Sequence, residues 1–460
     1  MESLKGKRLL LLGGPSLMID VIKKAKELGV YTIVTDWYEP EISVAKKEAD
    51  EYRMISSADV DALVQLVKDE HIDGVYTQYT DSALPYCQQV CERVGLPFFI
   101  NGEQEHMISN KAQSKKLCIK YGIPVSKEFH MTEEFNPEDV DAIEWPVLTK
   151  PTDNSGQRGI TICNNVKELK KGYAYAKESS KEGKVVVEEY MKGDYIVLNF
   201  TLQDGNLYLS GMADKPVIDE KYSNGLIRLP KGYIMPSKYL DLFYKKRFKN
   251  FEALAKGIGL KNGNWSVECV CRNDDFYVFE MQFRLGGMRH YTFVQAENGI
   301  DTLEMHIRFA LTGKFDGYDL SKLDTPYYKK TYCSLNMLLK DGIITSVEGL
   351  NILDQLPEVK SYLPMHQLGD KVELSGTVFQ IFMKASIVAE NYDDLKRILS
   401  LISSSIHVKD EHGNDMMLQC NVENYNGGGI KHLSICRIIR YHNRRVGTAC
   451  QVADCEVRCA

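Results

Sequence analysis

Strand and helix patterns alternate through the first hundred residues, and that alternation restricts the topology more than any other feature of the chain. Leu9 to Leu12 reads as a buried strand. Leu17, Met18, Val21, Ile22, Ala25 and Leu28 then recur at helical spacing, with Ser16 as the expected N-cap and Gly29 as the stop. A strand is expected at Tyr31 to Thr35, a helix near Asp59 to Asp69, a strand at Gly74 to Thr77, a helix near Ser82 to Val94 and a strand at Phe98 to Ile100. Alternation of this kind specifies an α/β unit with a parallel sheet and right-handed crossovers. A dinucleotide site of the Gly-x-Gly-x-x-Gly type does not fit it. Pro15 follows Gly13-Gly14 and removes a backbone donor, and no third glycine stands at the helix-packing position.

The 460 residues are enough for about three domains. Hydrophobic residues make up 44% and charged residues 26%, as in soluble globular proteins. With 57 basic against 63 acidic residues and no long basic run, nucleic acid is not an expected ligand. The apolar stretch after Arg8 ends within four residues, and no later run reaches 18, so neither a signal peptide nor a membrane span is read and a cytoplasmic location is expected. Seven of the twelve cysteines sit in apolar periodic segments, where a free thiol behaves as a small hydrophobe. The other five crowd the last 42 residues, where Cys450, Cys455 and Cys459 with His442 make only a weak zinc pattern.

Asn110, with Gln113 three residues on, opens a helix carrying Lys111, Lys115 and Lys116. Trp145 to Pro151 and Ile160 to Cys163 read as two strands around the polar turn Asp153 to Gly159, whose backbone and Arg158 suit an anion. The most informative segment is Trp265 to Phe283. With Asn273-Asp274-Asp275 as a three-residue hairpin turn, Glu268 falls directly across from Glu280, with Gln282 on the same face. Opposed carboxylates destabilise a hairpin unless both are solvated or a cation or shared proton lies between them. Gln282 and Arg284 on the same line add an oxygen ligand and a positive charge, which suits magnesium beside a phosphate.

The order of these motifs resembles the ATP-grasp superfamily of carboxylate-amine and carboxylate-thiol ligases, over roughly residues 7 to 405. The resemblance rests on Asn110-Lys111, Thr149-Lys150-Pro151, the Ser155-Gly156 loop, Glu188-Glu189-Tyr190-Met191, Glu268, and Glu280-Met281-Gln282-Phe283-Arg284-Leu285-Gly286-Gly287. It implies an ATP-grasp fold behind a parallel-sheet domain. The expected divisions are 1–108 for that domain, 109–200 for a linker helix and small lid lobe, 201–410 for a large lobe with a C-terminal subdomain, and 411–460 for a tail of unassigned role. The resemblance also implies ATP and magnesium or manganese as cofactors. Lys111, Lys150, Ser155, Gly156 and Arg158 are expected at the phosphates and base, Glu188, Glu189 and Met191 at an adenine hinge, and Asp194 near the ribose. Glu268, Glu280 and Gln282 are expected as metal ligands, Gln282 standing where the family usually has asparagine. Arg284 and Lys150 are the expected catalytic residues.

Ligands of open parallel sheets sit beyond the carboxyl ends of the strands, where this chain has Gly13-Gly14 and Thr80-Asp81-Ser82. Asp81 and Ser82 are therefore expected near a substrate amine, with the alternative that they only cap the next helix, and Arg289 near a substrate carboxylate. The expected reaction activates a carboxylate as an acyl phosphate and joins it to an amine, forming ADP, with a homodimer among the assemblies allowed. A bicarbonate-dependent carboxylase and a nucleotide-binding module without turnover are the alternatives.

Overall fold

The computed structural model describes residues 2–152, 159–218 and 229–420. Its first unit is a four-stranded parallel sheet in the order Glu51–Arg53, Tyr31–Thr35, Arg8–Leu12, Gly74–Tyr76. Leu9 to Leu12 are all fully buried, which explains the unbroken apolar run: helices cover both faces of the sheet. The helix Met18–Glu27 begins without a side-chain cap, so Ser16 does not have the role expected of it. The expected strand at Phe98 to Ile100 is absent. There Pro97 removes a ladder donor, the Phe99 ring stacks on Phe309 at 4.4 Å, and Asn101 caps the helix Gly102–Ser109 with a reciprocal capping box. The edge strand Glu51–Arg53, polar and only three residues long, carries no apolar signal.

A second four-stranded sheet, antiparallel throughout, runs Glu128–Phe129, Val185–Glu189, Val147–Pro151, Thr161–Cys163. The helix Val166–Ser179 packs on it. The third sheet is the largest, with the order Asp275–Gln282, Gly263–Arg272, Asp194–Gln203, Asn206–Asp214, Gly232–Met235, Thr331–Leu338, Ile381–Ala389, Val359–Pro364, again antiparallel. Trp265 and Phe200 from this sheet bury against Phe243 and Phe251 of the helices Leu240–Lys246 and Phe248–Gly257. Further along, Leu335 and Ile387 pack under the helix Tyr392–Ser405.

The sequence suggests a hairpin joining Lys340 to Ile344 and Val347 to Leu350, but the two segments separate. Gly342–Ile343 pairs with Lys371–Val372, and Ser346–Glu348 pairs with His407–Lys409. The Thr345 hydroxyl donates to the carbonyls of Lys409 and Asp410, at 3.1 and 2.7 Å, and fixes the divergence. No helix among the described residues is long and apolar enough to cross a membrane.

Candidate functional site

The helix Lys111–Lys120 begins where the Asn110 side chain accepts from the Ala112 and Gln113 amides, both at 3.1 Å. This cap sets Lys111 over the junction of the two antiparallel sheets, and Lys115, one turn on, follows on the same face. Lys111, Lys115, Lys150, Ser126, Glu188 and Phe279 line one pocket. The buried Glu188 carboxylate holds it together: one oxygen accepts from Lys150 Nζ at 2.5 Å, the other from Lys115 Nζ at 3.2 Å and from the Ser126 hydroxyl at 2.8 Å. Burial alone would raise the Glu188 pKa, but Lys150 and Lys115 outweigh it and hold the group at about 2. Burial pushes the Lys111 ammonium down; Lys150 adds to that push, and Glu280 opposes it.

Beside this pocket the strands Gly263–Arg272 and Asp275–Gln282 place Glu268 directly opposite Glu280. The pairing arises differently from the sequence expectation. Asn273 and Asp274 form a two-residue turn, both with positive φ (51° and 55°), and the ladder steps by one residue between Glu268 and Cys269. A tight turn plus a one-residue bulge yields the register that a three-residue turn would. Burial raises the Glu280 pKa, and the Glu268 charge raises it further. Lys215 Nζ pairs with Glu268 Oε2 at 2.5 Å, and the Gln282 amide donates to Glu280 Oε1 at 3.2 Å.

Arg284, 8% exposed, donates from Nε and Nη2 to the two oxygens of Asp81, the second at 2.9 Å. Glu280 and Glu268 also raise its pKa, so the guanidinium lies within the field of the acidic pair. Asp81 accordingly faces Arg284 rather than a cap position: the helix Leu84–Val94 begins at Ala83 with no side-chain cap, and Ser82 is exposed. Arg289 adopts a left-handed φ of 56° and pairs with Asp20, from Nε and Nη2 each at 2.9 Å.

The remaining expected residues sit along the strand end after Val185–Glu189. Glu189 is ion-paired with Arg272, and Met191 is buried. Asp194 accepts from Lys238 at 2.7 Å and from the Tyr239 hydroxyl at 2.5 Å; burial works to raise its pKa, and these two donors outweigh it. Between them Gly193 is required by contact: a Cβ there would lie 2.4 Å from the Cys271 carbonyl oxygen. Ser155, Gly156 and Arg158 lie outside the described residues, as do Cys450, Cys455, Cys459 and His442. The pocket thus gathers Lys111, Lys150 and Glu188, and Glu268, Glu280, Gln282, Arg284 and Asp81 adjoin it. Arg289 belongs to a separate ion pair. Lys115, Ser126 and Phe279 join the pocket without a role expected of them from the sequence. Lys115 was detectable, being four residues after Lys111 on one helix face.

Residues 110–318 match the model of the carbamoyl-phosphate synthase L chain ATP-binding domain. Pyruvate carboxylase of Bacillus subtilis is 20% identical over 404 residues, 82% of this chain and 33% of that protein. A formate-dependent phosphoribosylglycinamide formyltransferase of Sulfurisphaera tokodaii is 27% identical over 330 residues, 66% of this chain and 76% of that one. The chain spans a third of the carboxylase and about half of other curated relatives it matches. Among solved structures, L-amino acid ligase from Bacillus licheniformis superposes with a TM-score of 0.73 at 18% identity, covering 88% of this chain and 99% of that one. The chain has the ATP-grasp fold, and its residues 110–318 match an ATP-binding domain.

Proposed function

We propose that this protein is an ATP-dependent, ADP-forming ligase that activates a small-molecule carboxylate as an acyl phosphate and joins it to an amine. The observation that carries the reading is the adjacency of the lysine pocket around Glu188 to the facing pair Glu268 and Glu280, with Arg284 beside them. Lys111 and Lys150 hold the nucleotide phosphates, and Glu188 keeps Lys150 and Lys115 oriented while they are unloaded. The turn at Gly193 and the Asp194–Lys238–Tyr239 cluster form the sugar side of the nucleotide site. Two carboxylates and an amide oxygen are hard donors suited to magnesium or manganese, with phosphate oxygens completing the shell, so Glu268, Glu280 and Gln282 would hold the ion. When bound, that ion supplies neutralisation of phosphate charge.

Arg284 lies where negative charge develops on the transferring phosphoryl group and then on the tetrahedral adduct, and its rigid fork stabilises both. Arg289 orients the acceptor through an anionic group. The decisive experiment measures ADP formation against a panel of amino acids, with and without bicarbonate. ADP that requires an acid together with an amine supports the ligase. ADP that depends on bicarbonate turns the reading to a carboxylase, the activity named in some relatives, and no ADP with any combination leaves a nucleotide-binding protein without turnover.

A further inference from the structure

Beyond the bulged hairpin, the large sheet carries a polar row that none of these roles uses. Directly opposed residues of an antiparallel pair share a face. The register sets Tyr233 opposite Ser334, Ser334 opposite Ser386, and Ser386 opposite Ser361. The row crosses four strands on the face away from the Leu335 and Ile387 core, a span of about 14 Å at roughly 4.8 Å per strand step. Its ends differ in character. Lys215, which pairs with Glu268, lies 5.9 Å from the Tyr233 ring centre at one end, and at the other Arg289 Nη1 donates to the Ser361 hydroxyl at 3.3 Å.

Lys384 stands two residues before Ser386 on the same strand face, half-buried, close enough to Arg289 to feel its charge. Burial pushes its ammonium down, and Arg289 adds to the push. Among the described residues no carboxylate pairs with it. Asp20, committed to Arg289 through Nε and Nη2 and to the Tyr291 hydroxyl at 2.5 Å, is the acid of this cluster. Two cations against one carboxylate leave one positive charge uncompensated in a partly desolvated place. The left-handed backbone at Arg289 is the kind of strain that persists where a side chain has to be aimed.

We propose that Lys384 and Arg289 form an anion site for the far end of the acceptor substrate, with the row from Tyr233 to Ser361 as the floor between that end and the reacting group beside Glu268. The site selects a small molecule bearing a carboxylate or a phosphate ester distant from the group that reacts. It rests on the ligase reading in that the near end of the row is taken to be the reaction centre.

The test uses the full chain saturated with a non-hydrolysable ATP analogue, which fills the phosphate-binding lysines. It is titrated calorimetrically with inorganic phosphate in one arm and with succinate in the other. Saturable binding in one arm is expected, and that arm identifies the chemistry. Lys384→Gln weakens it at least tenfold and Lys384→Arg keeps it within threefold, with coincident melting curves tying the loss to the site. Binding unaltered by Lys384→Gln, or absent in both arms, overturns the proposal. The analogue's own affinity reads separately: its failure to bind counts against the ligase reading, and the anion titrations repeated without it still decide this site.

Discussion

Glu188 is a carboxylate whose environment favours its charge despite full burial, because Lys150, Lys115 and Ser126 together outweigh the loss of water. Its pKa of about 2 in the fold lies below the ordinary value of about 4.3 for an unfolded chain. A depressed carboxylate contributes stability that is present above the unfolded value and is lost as pH falls toward the folded one. That contribution is on the order of 3 kcal/mol at neutral pH. Glu188→Gln is therefore expected to lower the melting temperature at pH 7, and the gap from wild type is expected to close as the pH falls from about 5 toward 2; a constant gap across that range contradicts the account. Glu280 is the opposite case, a carboxylate raised by burial and by Glu268. A cation relieves both effects at once, so Glu280→Gln is expected to lower ATP turnover by orders of magnitude and to weaken magnesium binding, read directly by calorimetry. Turnover within twofold of wild type would remove the metal role. Gln282→Asn, which shortens the side chain by one methylene and keeps the amide oxygen, is expected to be tolerated in the same assay.

The hairpin Gly263–Arg272 and Asp275–Gln282 is the element on which the acidic pair depends, and it shows what a sequence can and cannot convey. Alternation over Trp265 to Cys271 exposed the core face, because Trp265, Val267, Cys269 and Cys271 all bury in one cluster. The pairing of Glu268 with Glu280 was legible, but the turn behind it was not. A bulge has no composition of its own, and the extra residue on this strand, Phe279, is an ordinary aromatic that turns out to line the lysine pocket. Likewise the short edge strand Glu51–Arg53 is fixed by its neighbour's ladder rather than by apolar periodicity. The turn offers a direct check. Asn273 and Asp274 both hold positive φ, a conformation open to Asn, Asp and Gly and costly for a β-branched residue. Asp274→Val is expected to destabilise by about 1 to 2 kcal/mol and Asp274→Gly to be neutral or slightly stabilising, measured by denaturant titration. Equal stability of the two variants would contradict the two-residue turn.

Across the whole molecule, ion pairs over long sequence separations join the parallel-sheet unit to the segment beyond the hairpin, among them Arg284 with Asp81, 203 residues apart, and Arg289 with Asp20, 269 residues apart. Contacts over such separations leave no local pattern, which is why the sequence placed Asp81 and Arg289 in one acceptor site and missed Asp20 altogether. The separation of the two pairs gives distinct expectations. Asp81 fixes the Nε–Nη2 edge of Arg284, so Asp81→Ala releases the arginine proposed to act on the reacting groups and is expected to lower kcat. Arg289 is held by Asp20 at the far end of the serine row, so Arg289→Ala is expected to raise KM for the organic acceptor tenfold or more, about 1.4 kcal/mol or more of lost binding, and to leave KM for ATP within threefold. Steady-state kinetics with each substrate varied in turn separates the two. If Arg289→Ala weakens ATP and acceptor alike, the strained arginine holds the two units together instead of recognising substrate, and the acceptor binds elsewhere in the cleft.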